Sequence, residues 1–475
     1  MNEHANDTVG DTAQALPEVT PELVLAYDRP GPRYTSYPTA DRFTADFGPS
    51  DYLTALARAN ATRPGEPLSL YLHLPFCEAL CTYCGCNVVV SKSETTRGRY
   101  LDRLAREIAL VTEHLPDRRQ VSQLHLGGGT PNSYSDAELS ELMGILRRHF
   151  EIPEDAEVAI EIDPRHAEPR RISHLRRIGF NRLSMGVQDF APKVQAAISR
   201  ITPFARVREL VDAAREEGFV SVNLDLIYGL PFQTPSDFAR TLQKVFALRP
   251  DRVALYSFAW VPWVKPHQKG IDQATLPDRD TKLALFCDAR KAFLDAGYHA
   301  IGMDHFALPE DELARAQSEG RLRRNFQGYT AMKVRDVVGF GLSAIGDIGG
   351  AYIQNTKKLH EYNKLLDQGA LPIERGLARD PDDEARRWLI HELMCNFHVD
   401  DAELGRRFGL SLDADFAAEM AELRSREDLA RLAEVGAGRV DVSLLGRLFV
   451  RNVATVFDAW LRRTRHDGPL YSRMV

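Results

Sequence analysis

Residues 76–87 read FCEALCTYCGCN and place four of the chain's six cysteines within ten positions. Thiolates packed that tightly serve as metal ligands or redox groups. A disulfide framework is not expected, because the chain reads as a protein of a reducing cytoplasm. Structural zinc takes two short Cys/His pairs separated by a longer loop, so that they converge tetrahedrally. Cys77, Cys81, Cys84 and Cys86 share one continuous loop, which is hard to wrap around a single ion. An iron–sulfur cluster presents irons at separated corners and suits CxxxCxxC spacing. A cubane held by three cysteines leaves one iron open to substrate or cofactor. Zinc is the less favoured reading and stays open at this point. Cys287 and Cys395 lie far off on helix-like segments and read as small buried hydrophobes.

The loop must be held by a scaffold, and the scaffold is legible as alternation. Apolar runs at 68–75, 121–129, 156–163, 182–188, 220–231 and 252–259 are separated by helix-like stretches such as 100–115 and 136–150. Strands alternating with helices imply βαβ units and a parallel sheet, either a partial barrel or an open doubly wound sheet. Leu68, Leu70, Leu72 and Leu74 share one face of the first strand; Ser69, Tyr71 and His73 share the other. The same split sets Leu124 and Leu126 against Gln123 and His125, and Ile160 and Ile162 against Glu161 and Asp163. It sets Leu183, Met185 and Val187 against Ser184 and Gln188, and Leu224 and Leu226 against Asn223 and Asp225. The sixth run is ambiguous.

A closed eight-stranded barrel fills its lumen with branched apolar side chains. A polar lumen is costly unless something polar fills it. The pattern therefore suggests an opened barrel around a large polar ligand; the plainer reading is an internal hydrogen-bond network. The cysteines begin just past Leu74, and GGGTP (127–131) follows the second strand. Both sit at C-terminal strand ends, where such folds place their chemistry, and glycines let a backbone approach a ligand closely.

Composition limits the function classes. A net charge of −7 gives no push toward nucleic acid. No run approaches the ~18 apolar residues of a membrane span. The first twenty residues are acidic, lack the parts of a signal peptide, and read as a flexible tail on a cytoplasmic protein.

CxxxCxxC with an aromatic residue, Tyr83, before the last cysteine resembles the radical S-adenosylmethionine superfamily, whose usual core is a partial (β/α)6 barrel. That resemblance implies a [4Fe–4S] cluster on Cys77, Cys81 and Cys84, with S-adenosylmethionine at the open iron, and GGGTP as the loop for its methionine amino group. CxxxCxxCGCN after YLHLPF further resembles the oxygen-independent coproporphyrinogen III oxidase (dehydrogenase) family. PRYTSYPTA (32–40), EIDPR (161–165), GFNRLSMGVQDF (179–190), DLIYGLP (225–231), GMDHFALPEDELA (302–314) and RNFQGYT (324–330) are similar to that family's other motifs.

The family resemblance implies two successive radical decarboxylations. The propionates of rings A and B of coproporphyrinogen III become vinyl groups, giving protoporphyrinogen IX. It also implies two S-adenosylmethionine molecules. Tyr71, Gly128, Glu161 and Ile345 would contact the first. Tyr83, Gly129, Thr130, Gln188, Arg200, Asp225 and Ala259 would contact the second. Tyr83 stands where the family pattern has phenylalanine and keeps a ring that can stack on adenine. Cys86 becomes a non-ligand; it and His73 match family positions near the cluster, and with Glu161 they are the candidate catalytic groups. The tetracarboxylate substrate needs cationic anchors, for which Arg33, with Tyr34 and Tyr37 nearby, and Gln327 are the candidates. Trp260 and Trp263, in AWVPWVKPHQ (259–268), depart from the family pattern and leave the pocket's edge open.

The chain divides on this reading into a tail (1–20), a substrate-covering segment (21–66), the barrel with its extension (67–369) and a helical, winged-helix-like C-terminal part (370–475). The last reads as a cover that excludes water rather than as a DNA-binding unit. The resemblance also implies a monomer served by an unidentified one-electron donor and acceptor. Two other functions are weighed. A related haem-transfer family shares the barrel and cluster motif, but typically lacks the extra CxC cysteine and the RYTSYPTA segment. A structural or regulatory metal protein would bind zinc and not cleave S-adenosylmethionine.

Overall fold

The structure is a computed structural model describing residues 19–332 and 334–463; the expected tail, apart from Val19 and Thr20, lies outside the described residues. Twelve strands form one sheet. Numbered along the chain they are β1 (Leu68–Leu74), β2 (Val121–Gly128), β3 (Glu157–Ile162), β4 (Arg182–Gln188), β5 (Ser221–Tyr228), β6 (Arg252–Ser257), β7 (His299–Gly302), β8 (His305–Ala307), β9 (Val337–Gly341), β10 (Ile345–Ile348), β11 (Ala351–Asn355) and β12 (Ile373–Ala378). Their order is β12-β11-β10-β9-β1-β2-β3-β4-β5-β6-β8-β7. β1 to β6 lie side by side, all parallel, as the alternating pattern requires.

The sheet does not stop at those six strands. β9 pairs parallel with β1, and β10 to β12 continue antiparallel; β8 and β7 extend the far edge, also antiparallel. The added strands are 3–6 residues long, and the stretch GFGLSAIGDIGG carries no clean alternation, so periodicity could not find them. β12 hydrogen-bonds to β11, so the first residues of the expected C-terminal part belong to the large sheet.

The expected facial split is present. Leu68, Leu70, Leu72, Leu74, Leu124, Leu126 and Ile160 are wholly buried on the helix-covered face. Helix Asp136–His149 shows how a cover forms. Ser135 Oγ accepts from Glu138 N at 3.2 Å, while Glu138 Oε2 accepts from Ser135 N at 2.7 Å. That reciprocal cap starts the helix. Its Leu139, Leu142, Met143, Ile145 and Leu146 are buried, each contributing about 1.5–3 kcal/mol of transfer free energy. Ser135→Ala removes the cap, a loss of about 1 kcal/mol. On the sixth strand Leu255 is the register neighbour of Leu226 and Ala254 that of Asp225, so the ambiguous run keeps the same split.

The N-terminal end of the polar face closes on itself. Ser69 Oγ donates to Gln123 Oε1 and Gln123 Nε2 to Glu157 Oε1, both at 2.8 Å. Arg182 lies 3.3 Å from Glu157 and 2.8 Å from Glu312. Arg252 pairs with Glu312 at 2.6 Å and Asp311 at 2.9 Å. This network takes residues from β1, β2, β3, β4 and β6, the last two joined through Glu312, so at this end an internal hydrogen-bond and ion-pair network fills the polar face. The rows above it do not close in this way.

Residues 381–463 form helix Pro381–Asn396, several shorter helices and a three-stranded antiparallel sheet. They clasp the N-terminal segment. Tyr27 and Phe449 pack as a tilted ring pair at 4.7 Å between centroids, and Asn452 Nδ2 donates to the Tyr27 carbonyl at 3.2 Å. No helix among the described residues is long and apolar enough to cross a membrane.

Candidate active site

The thiol loop leaves β1 and is pinned by backbone bonds. Val89 N donates to Pro75 O at 2.8 Å and Thr130 N to Phe76 O at 3.0 Å. His267 Nε2 donates to Cys84 O at 2.8 Å, Lys265 Nζ to Cys86 O at 3.0 Å, and Gln268 Nε2 to Tyr83 O at 3.2 Å. Segment 258–268 thus holds the loop from the far side of the sheet.

The thiols are not equivalent. Burial pushes Cys77 up to about 11, with Thr130 Oγ1 at 3.2 Å from its sulfur. Hydrogen bonding from Cys86 draws Cys84 down to about 6, and Cys86 itself is pushed up by the same bond and by burial. Cys81 Sγ faces two guanidiniums, Arg165 Nη2 at 3.5 Å and Arg200 Nη1 at 3.7 Å. Cations and hydrogen-bond donors around a thiol favour the thiolate, the ligand form.

The glycine loop fits against the first strand by close approach. A Cβ on Gly129 would lie 2.6 Å from the Pro75 carbonyl carbon. Gly128 has φ +108°, and a Cβ there would strike the His73 ring at 2.7 Å. Only glycine satisfies both. His73 is fixed by two bonds: Nε2 to Asn87 O at 2.9 Å and Nδ1 to the Tyr71 hydroxyl at 3.1 Å. A carbonyl only accepts, so Nε2 carries the proton and Nδ1 accepts from Tyr71. Burial lowers the imidazole's proton affinity and keeps it neutral.

The upper row of the polar face joins the expected residues. Tyr71 stacks on His125 at 6.0 Å. His125 Nε2 lies 3.1 Å from Glu161 Oε1. Burial raises the Glu161 carboxyl, but bonds from His125 and the Gly128 N–H outweigh it and hold it below the usual range. Asp225 goes the other way. Burial, then repulsion from Glu161, pushes its carboxyl up to about 6 despite bonds from Asn223 and Ser184. Paired carboxylates with opposed shifts mark a binding or proton-handling site.

A second group gathers around Asp163. Arg165 and Arg200 reach it at 2.7 and 2.8 Å. Arg200 also donates to Gly186 O at 2.6 Å, where a bulge puts Gln188 at φ +68°. A Cβ on Gly186 would meet Gln188 Nε2 at 2.7 Å. Ala259 O accepts from the same Gln268 amide that holds Tyr83. Ile345 sits beside Gly339, the register partner of Tyr71.

The structure gives the expected substrate contacts the following surroundings. Tyr34 is 1% exposed and donates to Asp458 Oδ2 at 2.9 Å. It ties the N-terminal segment to the C-terminal part, at a backbone φ of +47°. The Tyr37 hydroxyl likewise accepts from Ala459 N at 3.1 Å. Gln327 sits in the hairpin Arg323–Asn325/Gly328–Thr330, its N–H on Asn325 Oδ1 at 2.9 Å. Arg33 does reach a cavity, but paired with Asp304. That cavity, of about 370 Å³, lies at the C-terminal ends of β5 and β6 and is walled by Ala259 and Trp260. Trp260 and Trp263 meet edge to face at 6.4 Å, the latter 74% exposed.

The motif EIDPR does not show that Arg165 lies beside Cys81, and nothing in the chain's pattern marks Lys265 and His267 as holding the thiol loop. The only signal was their position in AWVPWVKPHQ, read as a departure from pattern.

The donor set fits a multi-iron cluster. Cys77, Cys81 and Cys84 act on one another electrostatically within one loop, flanked by cations and a hydroxyl. No three His, Cys, Asp or Glu side chains among the described residues converge on a single-ion position. The acidic, hydrogen-bonding row above the loop suits a ligand with amino and hydroxyl groups.

Comparison with known proteins agrees with this geometry. Residues 71–245 match the model of the radical SAM superfamily. The chain is 45% identical to the oxygen-independent coproporphyrinogen III oxidase of Pseudomonas aeruginosa, covering 93% of this chain and 95% of that one. It is also 45% identical to that of Escherichia coli K12, over the same shares. The solved structure of coproporphyrinogen III oxidase (HemN) from Escherichia coli, described as a radical SAM enzyme, superposes with a TM-score of 0.86 at 44% identity, over 90% of this chain and 97% of that one. With near-complete coverage in both directions and its thiol and glycine loops at one end of the parallel strands, the chain belongs to the oxygen-independent coproporphyrinogen III oxidase family of radical SAM enzymes.

Proposed function

We propose that the chain converts coproporphyrinogen III to protoporphyrinogen IX without O2. The propionates of rings A and B lose CO2 and become vinyl groups, in haem biosynthesis. The observation that carries this reading is full-length similarity to such oxidases, in a chain that keeps the thiol loop and glycine loop on adjacent strand ends. We read β1 to β6 as an opened (β/α)6 barrel and residues 381–463 as its cover.

Cys77, Cys81 and Cys84 would hold the [4Fe–4S] cluster, and the polar row would hold S-adenosylmethionine. When bound, cluster and S-adenosylmethionine supply the one-electron chemistry that removes a hydrogen atom from a propionate β-carbon. The protein's residues bind, orient and exclude water. Arg165 and Arg200 offset thiolate charge at Cys81. Glu161, kept ionised by His125, accepts from an amino group or ribose hydroxyls. His73, neutral and fixed by Tyr71 and Asn87, buttresses Gly128 so that the glycine backbone lies against the ligand. Arg200, Gln188, Asp225, Tyr83, Thr130, Gly129 and Ala259 line a second position at the same strand ends, which supports two S-adenosylmethionines. The Tyr34–Asp458 bond and the Ala459 N–H on Tyr37 lock the cover, and a dry site protects radical chemistry from side reactions.

The test is anaerobic turnover of cluster-reconstituted protein with reductant, S-adenosylmethionine and coproporphyrinogen III. Protoporphyrinogen with 5′-deoxyadenosine is expected. Deoxyadenosine with unchanged porphyrinogen would move the assignment to another substrate. Neither product, with haem bound, would support haem transfer.

A further inference from the structure

The cavity at the ends of β5 and β6 differs from the lumen. It opens on the apolar side of the sheet, since Tyr228 and Ser257 continue the faces of Leu226 and Leu255. Its lining is largely hydrophobic, with four cations, Arg33, Arg279, Lys282 and Arg451, against two carboxylates, Asp28 and Asp304. Two cations are matched: Arg33 pairs with Asp304, and Arg279 lies 3.5 Å from Asp28.

The other two have no acid within ion-pair distance among the described residues, although Asp28 acts on Lys282 and Asp304 on Arg451 from farther off. Lys282 Nζ has a neutral partner, donating to Phe258 O at 2.8 Å. Arg451 is only 6% exposed, and its Nη1 has no hydrogen-bond partner among the described residues. A buried donor left without a partner is costly, and a carboxylate entering the cavity would supply one to Nη1. Burial, with repulsion from Arg33, depresses the Arg451 guanidinium to about 9, against an ordinary value above 12. Burial also lowers Lys282. A flat apolar ligand carrying two carboxylates would satisfy both cations.

We propose that Arg451 and Lys282 anchor the two propionates that the tetrapyrrole retains through the reaction. This deepens the function proposed above and rests on it. Binding energy from parts of a substrate that do not react can position the parts that do. Four propionates enter and two become vinyl groups, so the two unmatched cations correspond to the pair that stays. Arg451 comes from the C-terminal part and Lys282 from helix Arg279–Asp295, so docking of the cover completes the site.

The test is fluorescence titration of the purified full-length chain with coproporphyrin III, a stable tetra-acid, and with its uncharged tetramethyl ester. The wild type should bind the acid at least tenfold more tightly than the ester. Arg451→Met and Lys282→Met should each weaken acid binding about tenfold and leave ester binding unchanged. Arg451→Met should also raise the melting temperature, because an uncompensated buried charge is removed; a merely structural arginine would lower it. Arg451→Gln, which keeps polarity and volume, serves if the Met variant does not fold, with the same loss expected. Acid binding unchanged in the variants, or a wild type that does not prefer the acid, would overturn the assignment. Anaerobic turnover by that wild type would still uphold the proposed function, so the two failures are distinguishable.

Discussion

The lumen row and the cavity at the ends of β5 and β6 stand at the same end of the sheet and handle charge in opposite ways. In the lumen the charged groups are met by partners on the same or neighbouring strands and the turns and loops that follow them: His125 for Glu161, Asn223 and Ser184 for Asp225, Arg165 and Arg200 for Asp163. In the cavity the charges come from segments hundreds of residues apart, and the cations outnumber the acids. On the proposed assignment the lumen's carboxylates receive amino and hydroxyl groups, and the cavity's unmatched cations receive carboxylates. One strand-end platform can therefore hold a cationic, amino-bearing cofactor and a polyanionic substrate without mixing their fields.

The largest expected effect tests the lumen's thiols. Cys81→Ser should abolish cluster assembly and turnover, while Cys86→Ser should assemble normal iron and sulfide. Iron and sulfide analysis after reconstitution checks both, and a cluster-free Cys86→Ser protein would reassign the ligands.

Next, one substitution type should have opposite signs in the two regions. Asp304 is 6% exposed, and burial, which would raise its carboxyl, is outweighed by Arg33 and His305, which hold it far below the usual range. Its ionised form therefore stabilises the fold above the ordinary carboxylate range, and that contribution is lost as the pH falls toward its native pKa. Asp304→Asn should cost about 3 kcal/mol at pH 7 in urea denaturation, because Arg33 loses its counter-charge.

Asp225 has the reverse sign. Its carboxyl titrates at about 6 in the fold, so between about pH 4 and that value the native state binds more protons than the unfolded chain. Wild-type stability falls as the pH rises through that window, and the penalty is complete above it. Asp225→Asn should raise stability by about 2 kcal/mol at pH 7 and leave it unchanged near pH 3, while weakening S-adenosylmethionine binding. A stability loss at pH 7 would remove the contrast between the regions.

The smallest effect concerns Tyr34. Tyr34→Phe should cost about 1 kcal/mol by leaving a buried Asp458 acceptor less satisfied, with an unchanged Michaelis constant for the tetrapyrrole. A raised constant would show that Tyr34 also acts on the substrate.

How much of this was legible follows from sequence separation. β1 to β6 could be read because two-residue alternation is a local property, and Tyr71, His125, Glu161, Gln188 and Asp225 came with it. The thiol loop was legible because its cysteines are neighbours in the chain. β7 to β12 were not, being short, glycine-rich in part and stabilised by pairing with distant strands. PRYTSYPTA shows which residues are present, not which way the backbone turns them, so the buried bond from Tyr34 to Asp458 is not legible in it.

By itself the sequence determined the parallel strands, their polar and apolar faces, the thiol and glycine loops at one end, and through its motifs the family. Tertiary structure alone decided which polar rows close on themselves and which stay open to a ligand. It alone brought Arg33, Lys282, Asp304 and Arg451 around one cavity and, among the described residues, left two of the cations without an acid at ion-pair distance. The reason is physical: alternation is set by the geometry of each strand, whereas charge balance in a cavity depends on every segment that folds against it.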